Sequence, residues 1–317
     1  NYQINSQNSI ACKRAVAYAT GGSGTSGSPW TSASGTGGIQ EAYNARWAPY
    51  VCSNIPAGYY SITSTINFTD NSGIQFDGYG ASAVHPITVY GDGIGNSILV
   101  GGNAGIVMDL TGSGQFVLRD FAIIPSAGTP STVGILMARS TTTASGYTAG
   151  SLLENLFIDL KTIPAANGGN GTVAIYNNGG EQNQFRNLWL VADNPIVFTS
   201  QNVFSISSAF VPTGTTNLAE ANNILGGMFQ SVGAGAAITV QGHVDATTIQ
   251  DLVVMKSGGS TAPYGIKILA DSITPTQPIR NFRATHIFYE AFDRAISTTA
   301  PVRGFWVSGY IGQGTGP

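Results

Sequence analysis

The sequence predicts an all-β protein: a single-stranded right-handed parallel β-helix with a short N-terminal capping helix. Composition is the first observation. The 317 residues include 42 glycines and only 9% charged residues, where an average soluble domain carries about 25% charged residues. Because 42% of the residues are hydrophobic, the chain can still build a core, which excludes a charge-rich disordered protein. The many glycines indicate frequent tight turns.

A seven-residue frame that recurs along the chain is the second observation. The frame reads apolar–x–(Asn, Asp or Gly)–apolar–x–apolar–x. Its copies begin at Leu118, Leu153, Phe185, Ile224, Ile249, Ile279 and Val302, with a degenerate copy at Ile206. A second short strand precedes most copies, starting at Gly105, Gly134, Val173, Pro195, Ala237, Gly265 and Ala295. The mean spacing is about 26 residues per copy, a period typical of solenoids.

The third frame position supplies the last observation. It holds Asp120, Asn155, Asn187, Gly226, Asp251, Asn281 and Gly304, with Ser208 in the degenerate copy. Asn, Asp and Gly tolerate the left-handed backbone conformation best, so this position predicts a bend. Positions one, four and six then face the core, and each rung lies about 4.8 Å above the last.

The N-terminal part of the sequence reads differently. Residues 21–38 form a low-complexity Gly/Ser-rich stretch, which predicts a mobile loop or linker and divides the chain into a segment 1–38 and a β-helix domain 39–317. Ile39, Ala42 and Tyr43 recur at helical spacing and predict a helix that ends before Pro49 and caps the open end of the β-helix. Cys12 and Cys52 fit a disulfide or two unrelated buried thiols.

Three segments at the start of the domain carry a family resemblance. They are residues 38–43 (GIQEAY), 54–62 (NIPAGYYSI) and 87–93 (ITVYGDG). Together with the repeated frames, over about residues 38 to 310, the sequence resembles pectate-lyase-like β-helix proteins, which include bacteriophage tailspikes and polysaccharide-degrading enzymes. This resemblance implies carbohydrate binding or cleavage, often by homotrimers. It transfers no catalytic signature, because the family motifs of paired aspartates and calcium ligands do not match.

Two frame positions face outwards and suggest a functional surface. The second position places Glu154 between Arg119 and Arg186, which fits either an ion-pair ladder or a substrate groove with Glu154 as the acid. The fifth position is nearly all apolar, and its copies are Ala122, Phe157, Trp189, Phe210, Met228, Val253, Arg283 and Trp306. Subunit packing, burial under a loop, and sugar stacking on Trp189 and Trp306 all remain open for this stripe.

The candidate site residues come from the few ionisable groups around these frames. Adjacent rungs can separate two carboxylates by the roughly 5 to 9.5 Å that glycoside cleavage uses. The candidate catalytic residues are Glu154, Asp159 and Glu181, and the candidate substrate-binding residues are Trp189, Tyr176, Arg186 and Asp193. A second ionisable cluster consists of His286, Glu290, Asp293 and Arg294.

These patterns predict a protein of the extracellular space or the virion surface that binds a cell-surface polysaccharide. Whether it also cleaves the polymer, as a hydrolase or a lyase, is left open; the alternative is a non-catalytic structural or receptor-binding subunit. We expect a homo-oligomer, most plausibly a trimer, without cofactor or metal. A net charge of −3 and a pI near 5.5 argue against nucleic-acid binding. Since no apolar run reaches about 18 residues, we expect no membrane insertion.

Overall fold

A computed structural model describes residues 12–45, 52–68, 87–138, 148–200, 219–270 and 278–311. These residues form three sheets, and every pairing between the strands of the sheets is parallel. The helical segments are short: α1 (Ile39–Asn44), α2 (Ala166–Gly169) and one 3-10 turn (Ala15–Tyr18). The frame copy predicted at Ile206, with Ser208 and Phe210, lies outside the described residues.

The first sheet has twelve strands. They are β1 (Lys13–Arg14), β2 (Ser53–Ile55), β3 (Gly58–Ile62), β5 (Ile87–Gly91), β6 (Ser97–Gly101), β8 (Phe116–Pro125), β10 (Leu152–Asp159), β12 (Gln184–Ala192), β15 (Asn223–Ser231), β18 (Thr248–Lys256), β21 (Arg283–Glu290) and β24 (Trp306–Ile311).

The second and third sheets have eight and four strands. The second contains β4 (Ile66–Asn67), β7 (Ile106–Asp109), β9 (Val133–Ala138), β11 (Val173–Asn178), β13 (Asn194–Thr199), β16 (Ile238–Gln241), β19 (Tyr264–Leu269) and β22 (Arg294–Thr298). The third contains β14 (Ala219–Glu220), β17 (Val244–Asp245), β20 (Ile279–Arg280) and β23 (Val302–Arg303).

The order of the strands within these sheets makes the molecule a parallel β-helix. Successive strands of one sheet are separated in sequence by a strand of another, for example β10, β11 and then β12, so the chain coils and returns to the same sheet one rung higher. A right-handed coil is the sense expected for parallel crossovers. The short strands predicted before most frame copies all belong to the second sheet, where they are β7, β9, β11, β13, β16, β19 and β22.

The register of the first sheet corrects the predicted period. From rung to rung, Leu118 pairs with Leu153 and the column continues through Phe185, Ile224, Ile249 and Ala284 to Val307. Six steps therefore cover 189 residues, or about 32 residues per rung instead of the predicted 26.

The last two frame copies were assigned to the wrong sheet. The copies at Ile279 and Val302 lie in the third sheet, where β20 pairs with β23. The true last rungs of the first sheet begin at Ala284 and Val307. The coil has two corners, one within the strands of the first sheet and one directly after the strands of the third sheet. The frame occurs at both because each corner needs a left-handed residue followed by an inward apolar residue, as in Asn281–Phe282.

The predicted bends are confirmed wherever the structure describes them. Backbone φ is positive at Asp120, Asn155, Asn187, Gly226, Asp251, Asn281 and Gly304. Asn281 and Gly304 belong to a second corner, together with Gln182, Ala221 and Ala246. At the first corner, the rung after Asp251 places His286 in the bend, with φ 54°.

The core follows the predicted inward positions. Leu118, Phe121 and Ile123 are fully buried, and their equivalents on the higher rungs join them in one continuous apolar cluster. The rung that begins at Ile224 is an exception, because Gly227 takes the inward place that Leu188 holds on the rung below. A Cβ at Gly227 would lie 2.2 Å from the Leu188 carbonyl oxygen, so only glycine fits there.

The N-terminal segment packs on the first sheet. Trp30 forms a parallel β-bridge with Tyr60 of β3, and its backbone N–H donates to the Tyr59 carbonyl at 2.7 Å, so the stretch 21–38 contacts the first sheet here. The division of the chain at residue 38 stays a prediction. Helix α1 buries the predicted Ile39 and Tyr43, while its role as a cap stays a prediction. A disulfide joins Cys12 and Cys52.

Candidate functional site

Two columns of side chains run next to each other over the rungs of the first sheet. The bend column consists of Asp120, Asn155, Asn187, Gly226, Asp251 and His286, which occupy the left-handed bends. The apolar column lies two residues further along each strand and consists of Phe157, Trp189, Met228, Val253 and Phe288. Two residues of strand span about 6.6 Å, so the polar and the apolar columns border each other.

The apolar column is open to solvent at two aromatic side chains. Trp189 is 45% exposed and Phe288 is 40% exposed. Ala122, which pairs with Phe157 on the rung below the column, is buried. The rings of Phe157 and Trp189 meet edge to face at 5.3 Å between centroids. Phe288 replaces the predicted Arg283 in this column, because β21 pairs with β18 five residues later than the frame indicated.

The bend column is polar, and its side chains meet between neighbouring rungs. The Asn155 amide nitrogen lies 3.1 Å from a carboxylate oxygen of Asp120, and His286 Nδ1 lies 3.0 Å from Asp251 Oδ1. The side chains of His286 and Asp251 are 66% and 50% exposed. Next to His286 the pairing of β21 with β24 shifts register between Ala284 and Ile287, an irregularity that often re-aims a side chain.

The predicted ladder of Arg119, Glu154 and Arg186 is stacked as expected, since both arginines pair in register with Glu154. Ion pairing does not follow. Within the described ranges Glu154 has no ion-pair partner: Arg119 lies 3.6 Å from Asp120 and 5.8 Å from the Tyr90 ring. Arg186 donates to the Gln184 side-chain oxygen at 2.5 Å. The three side chains therefore stack in register but do not form the expected ion pairs.

The three predicted catalytic carboxylates are not brought together. In β10, Glu154 precedes the bend at Asn155, while Asp159 ends the strand on the other side of that bend. Glu181 lies in the turn before β12, where its backbone forms an isolated parallel β-bridge with Ala149. Only residues at equal frame positions stack at about 4.8 Å, and no two of these three share such a position. Burial raises the pKa of the Asp159 carboxyl group above its usual range.

Two predicted substrate-binding residues are buried. Tyr176 is 1% exposed in a small apolar cluster with Val133, Leu136 and Val197. Asp193 is 2% exposed and accepts hydrogen bonds from the Thr162 hydroxyl, the Ile163 N–H at 3.1 Å and the Thr172 N–H at 2.8 Å. Both predictions are corrected: these side chains stabilise the fold and do not reach the surface, whereas Trp189 and Arg186 do.

The comparisons with known proteins concern the fold. No family model and no curated protein matches the sequence. Among solved structures, ORF18 of Geobacillus virus E2 matches with 10% identity and a TM-score of 0.45, over 94% of this chain and 59% of that one. An alginate lyase from Paenibacillus sp. str. FPU-7 matches with 11% identity and a TM-score of 0.42, over 84% and 94%.

A third match is the enzymatically active domain of tailspike protein 2 from bacteriophage CBA120. It has 13% identity and a TM-score of 0.44, over 86% of this chain and 40% of that one. The solved structures that this chain resembles thus include a domain of a phage tailspike and an alginate lyase. This chain spans about three fifths of the viral protein and less of the tailspike domain.

None of the helices within the described ranges is long and apolar enough to cross a bilayer.

Proposed function

We propose that this protein binds a polysaccharide along the face formed by the bend column and the apolar column. The observation that carries the proposal is the adjacency of the two columns. Exposed aromatic side chains at Trp189 and Phe288 lie next to exposed amide, carboxylate and imidazole groups. A sugar ring needs both kinds of surface, because its C–H faces pack on aromatic rings and its hydroxyl groups need hydrogen-bond partners.

The length of the face favours a polymer over a small molecule. From Phe157 to Phe288 the apolar column covers four rung steps, or about 19 Å at 4.8 Å per step. Such a face presents similar groups at regular intervals, which suits a ligand built from repeating units.

We place the protein outside the cell or on a virion. The Cys12–Cys52 disulfide supports this location, because disulfides persist in oxidising compartments. The chain's low content of charged residues is the second support.

Truncation of Trp189 tests the proposed face. We expect Trp189→Ala to weaken binding tenfold or more, the equivalent of about 1.4 kcal/mol. Trp306→Ala is the matched control, because Trp306 is 64% exposed but pairs with Arg283 outside the apolar column. Binding is measured by biolayer interferometry on immobilised dextran, α-1,3-glucan, alginate and purified bacterial capsules. Equal losses in the two variants, or no binding by the wild type, would contradict the proposal.

Cleavage of the bound polymer, by hydrolysis or elimination, stays a prediction of the sequence. The same panel tests it through release of reducing ends or of unsaturated sugars that absorb ultraviolet light. Glu154→Gln and Asp159→Asn should abolish such a release if these carboxylates act in it.

A homo-oligomeric structural or receptor-binding subunit, most plausibly a trimer, is the second candidate. The apolar column favours it, because a soluble monomer seldom exposes a continuous apolar stripe. Light scattering separates the two candidates: an oligomer that Phe157→Ser with Trp189→Ser dissociates would support subunit packing, and a wild-type monomer would overturn it.

A further inference from the structure

One rung interrupts the bend column. The other five bends carry a polar side chain, but Gly226 has none, although its φ of 69° matches theirs. Gly226 lies between the rungs of Asn187 and Asp251, whose backbones are separated by two rung steps, or about 9.6 Å. We call this position the notch. It is one side chain wide, and Gly226 at its base is half-buried.

The two edges of the notch carry unused hydrogen-bonding groups. A Cβ built on Gly226 would lie 3.0 Å from Asn187 Oδ1, so the Asn187 amide leans over the notch. Asn187 is exposed, and no described residue hydrogen-bonds to its side chain. On the other edge, the described partner of the Asp251 carboxylate is His286, which contacts Oδ1 and leaves Oδ2 available.

The rest of the bend column shows what the notch lacks. Two of the three pairs of polar side chains on neighbouring rungs hydrogen-bond to each other, Asn155 with Asp120 and His286 with Asp251. Asn187 and Asp251 have no such neighbour on the Gly226 rung. A ligand that brings its own donors and acceptors can therefore take the place of the missing side chain.

We propose that the notch is a subsite for one sugar residue, in which two neighbouring hydroxyl groups bind between Asn187 and Asp251. One hydroxyl donates to the Asp251 carboxylate, which His286 holds in place. The other hydroxyl exchanges hydrogen bonds with the Asn187 amide, which can both donate and accept. The ring then lies beside Trp189 and Met228 of the apolar column. This subsite rests on the proposed function, since it assigns one position within the proposed polysaccharide face.

Filling the notch tests the subsite. In Gly226→Asn the new side chain enters the column at a bend that already accepts Asn, Asp and His on other rungs, so the fold should be retained. The Asn187 side chain has room to rotate, because it is exposed. We expect at least a tenfold loss of affinity for the polysaccharide of the panel that the wild type binds most tightly.

Gly304→Asn is the matched control. Gly304 also has a positive φ of 63° and also lies next to an asparagine, with Asn281 Oδ1 2.8 Å from its Cβ position, but at the second corner. Its affinity should equal that of the wild type. Thermal unfolding verifies that both variants are folded.

The outcomes separate the subsite from the proposed function. If Trp189→Ala loses affinity and folded Gly226→Asn does not, the subsite is wrong and the polysaccharide face stands. If Gly226→Asn does not fold, Asp251→Asn with His286→Gln replaces it, and unchanged affinity in that variant overturns the subsite. No binding of any probe by the wild type overturns both.

Discussion

The bend column and a second group of residues, the interior asparagine cluster, both contain asparagine side chains, but the two groups differ in burial and in hydrogen bonding. The interior cluster consists of Asn177, Asn183 and Asn222, all fully buried. Asn222 Oδ1 accepts from the Asn177 side chain, the Asn183 N–H and the Asn183 side chain, each at 3.2 Å. The Asn222 amide nitrogen donates to the Gly180 carbonyl at 2.9 Å. In the bend column, by contrast, the Asn187 amide is exposed and without a described partner.

The difference teaches how to separate structural from functional polar groups in a β-helix. Asn183 and Asn222 of the interior cluster directly follow the left-handed residues Gln182 and Ala221, so residue type and nearness to a bend do not distinguish the two sets. The two sets differ in hydrogen-bond saturation, that is, in whether the fold supplies a partner for every polar atom of the side chain. A buried amide with all its partners supplied by the fold has nothing left for a ligand, whereas an exposed amide beside an aromatic column has.

Removal of Asn222 should have the largest effect on stability. Asn222→Ala would remove the acceptor of the Asn183 N–H and of the Asn177 side-chain amide, and the side-chain donor to the Gly180 carbonyl, while the Asn183 side chain would keep its hydrogen bond to the Thr148 carbonyl. Because each unsatisfied buried group costs about 1–3 kcal/mol, we expect the free energy of unfolding to fall by about 3 kcal/mol or more. Urea denaturation of this variant measures the loss. Asn187→Gly, at the exposed column, is the control and should be near neutral; comparable losses in both would remove the distinction between the two sets.

Substitution of Asn187 by a β-branched residue should have a moderate effect. Its φ of 50° is left-handed, a conformation that costs an L-residue with a branched side chain about 1–2 kcal/mol. Asn187→Val should therefore unfold at a lower temperature than Asn187→Gly, which has no Cβ to strain. Scanning calorimetry of the pair decides this, and identical melting temperatures would argue against a backbone cause.

Much of this fold could be predicted because its bends impose a strict chemical requirement. Asp120, Asn155, Asn187 and Asp251 all obey it, and the inward positions beside them are buried as expected. The sheet assignment of Asn281 could not be predicted, since both corners of the coil impose the same requirement. His286 was missed as a bend because the frame admitted only Asn, Asp and Gly, although histidine is also enriched in this conformation.

The candidate site was harder to predict because burial depends on what covers each sheet. Tyr176 lies outside the main core, in a second cluster of buried apolar side chains that β9, β11 and β13 contribute. The six residues of β11 are all buried, and continuous apolar runs such as VAIY are typical of parallel strands covered on both faces. That signal was available in the sequence. The packing of Asp193 against Thr162 and Thr172 was not, since these contacts join residues about 20 to 30 positions apart.

Asp159 extends the comparison to a carboxylate that belongs to neither set, and here we expect the smallest effect. It is half-buried and, unlike Asp193, has no hydrogen-bond partner among the described residues. Burial raises the pKa of its carboxyl group, so the charged form is disfavoured in the folded protein. The stability that the neutral acid contributes is fully present below the unfolded pKa of about 3.9 and is lost as pH rises through the higher folded pKa.

Asp159→Asn should therefore stabilise the protein at pH 7 and change little at pH 3. Because the side chain keeps partial contact with water, the expected rise in melting temperature at pH 7 is no more than about 2 °C. Differential scanning fluorimetry at the two pH values measures the difference. Asp193→Asn is the control: it weakens the hydrogen bonds from Thr162 and Thr172 and should destabilise the protein at pH 7. If Asp159→Asn also destabilised it at pH 7, the Asp159 carboxylate would have to be held by a favourable contact in the folded state, and hydrogen-bond saturation would no longer separate the two aspartates.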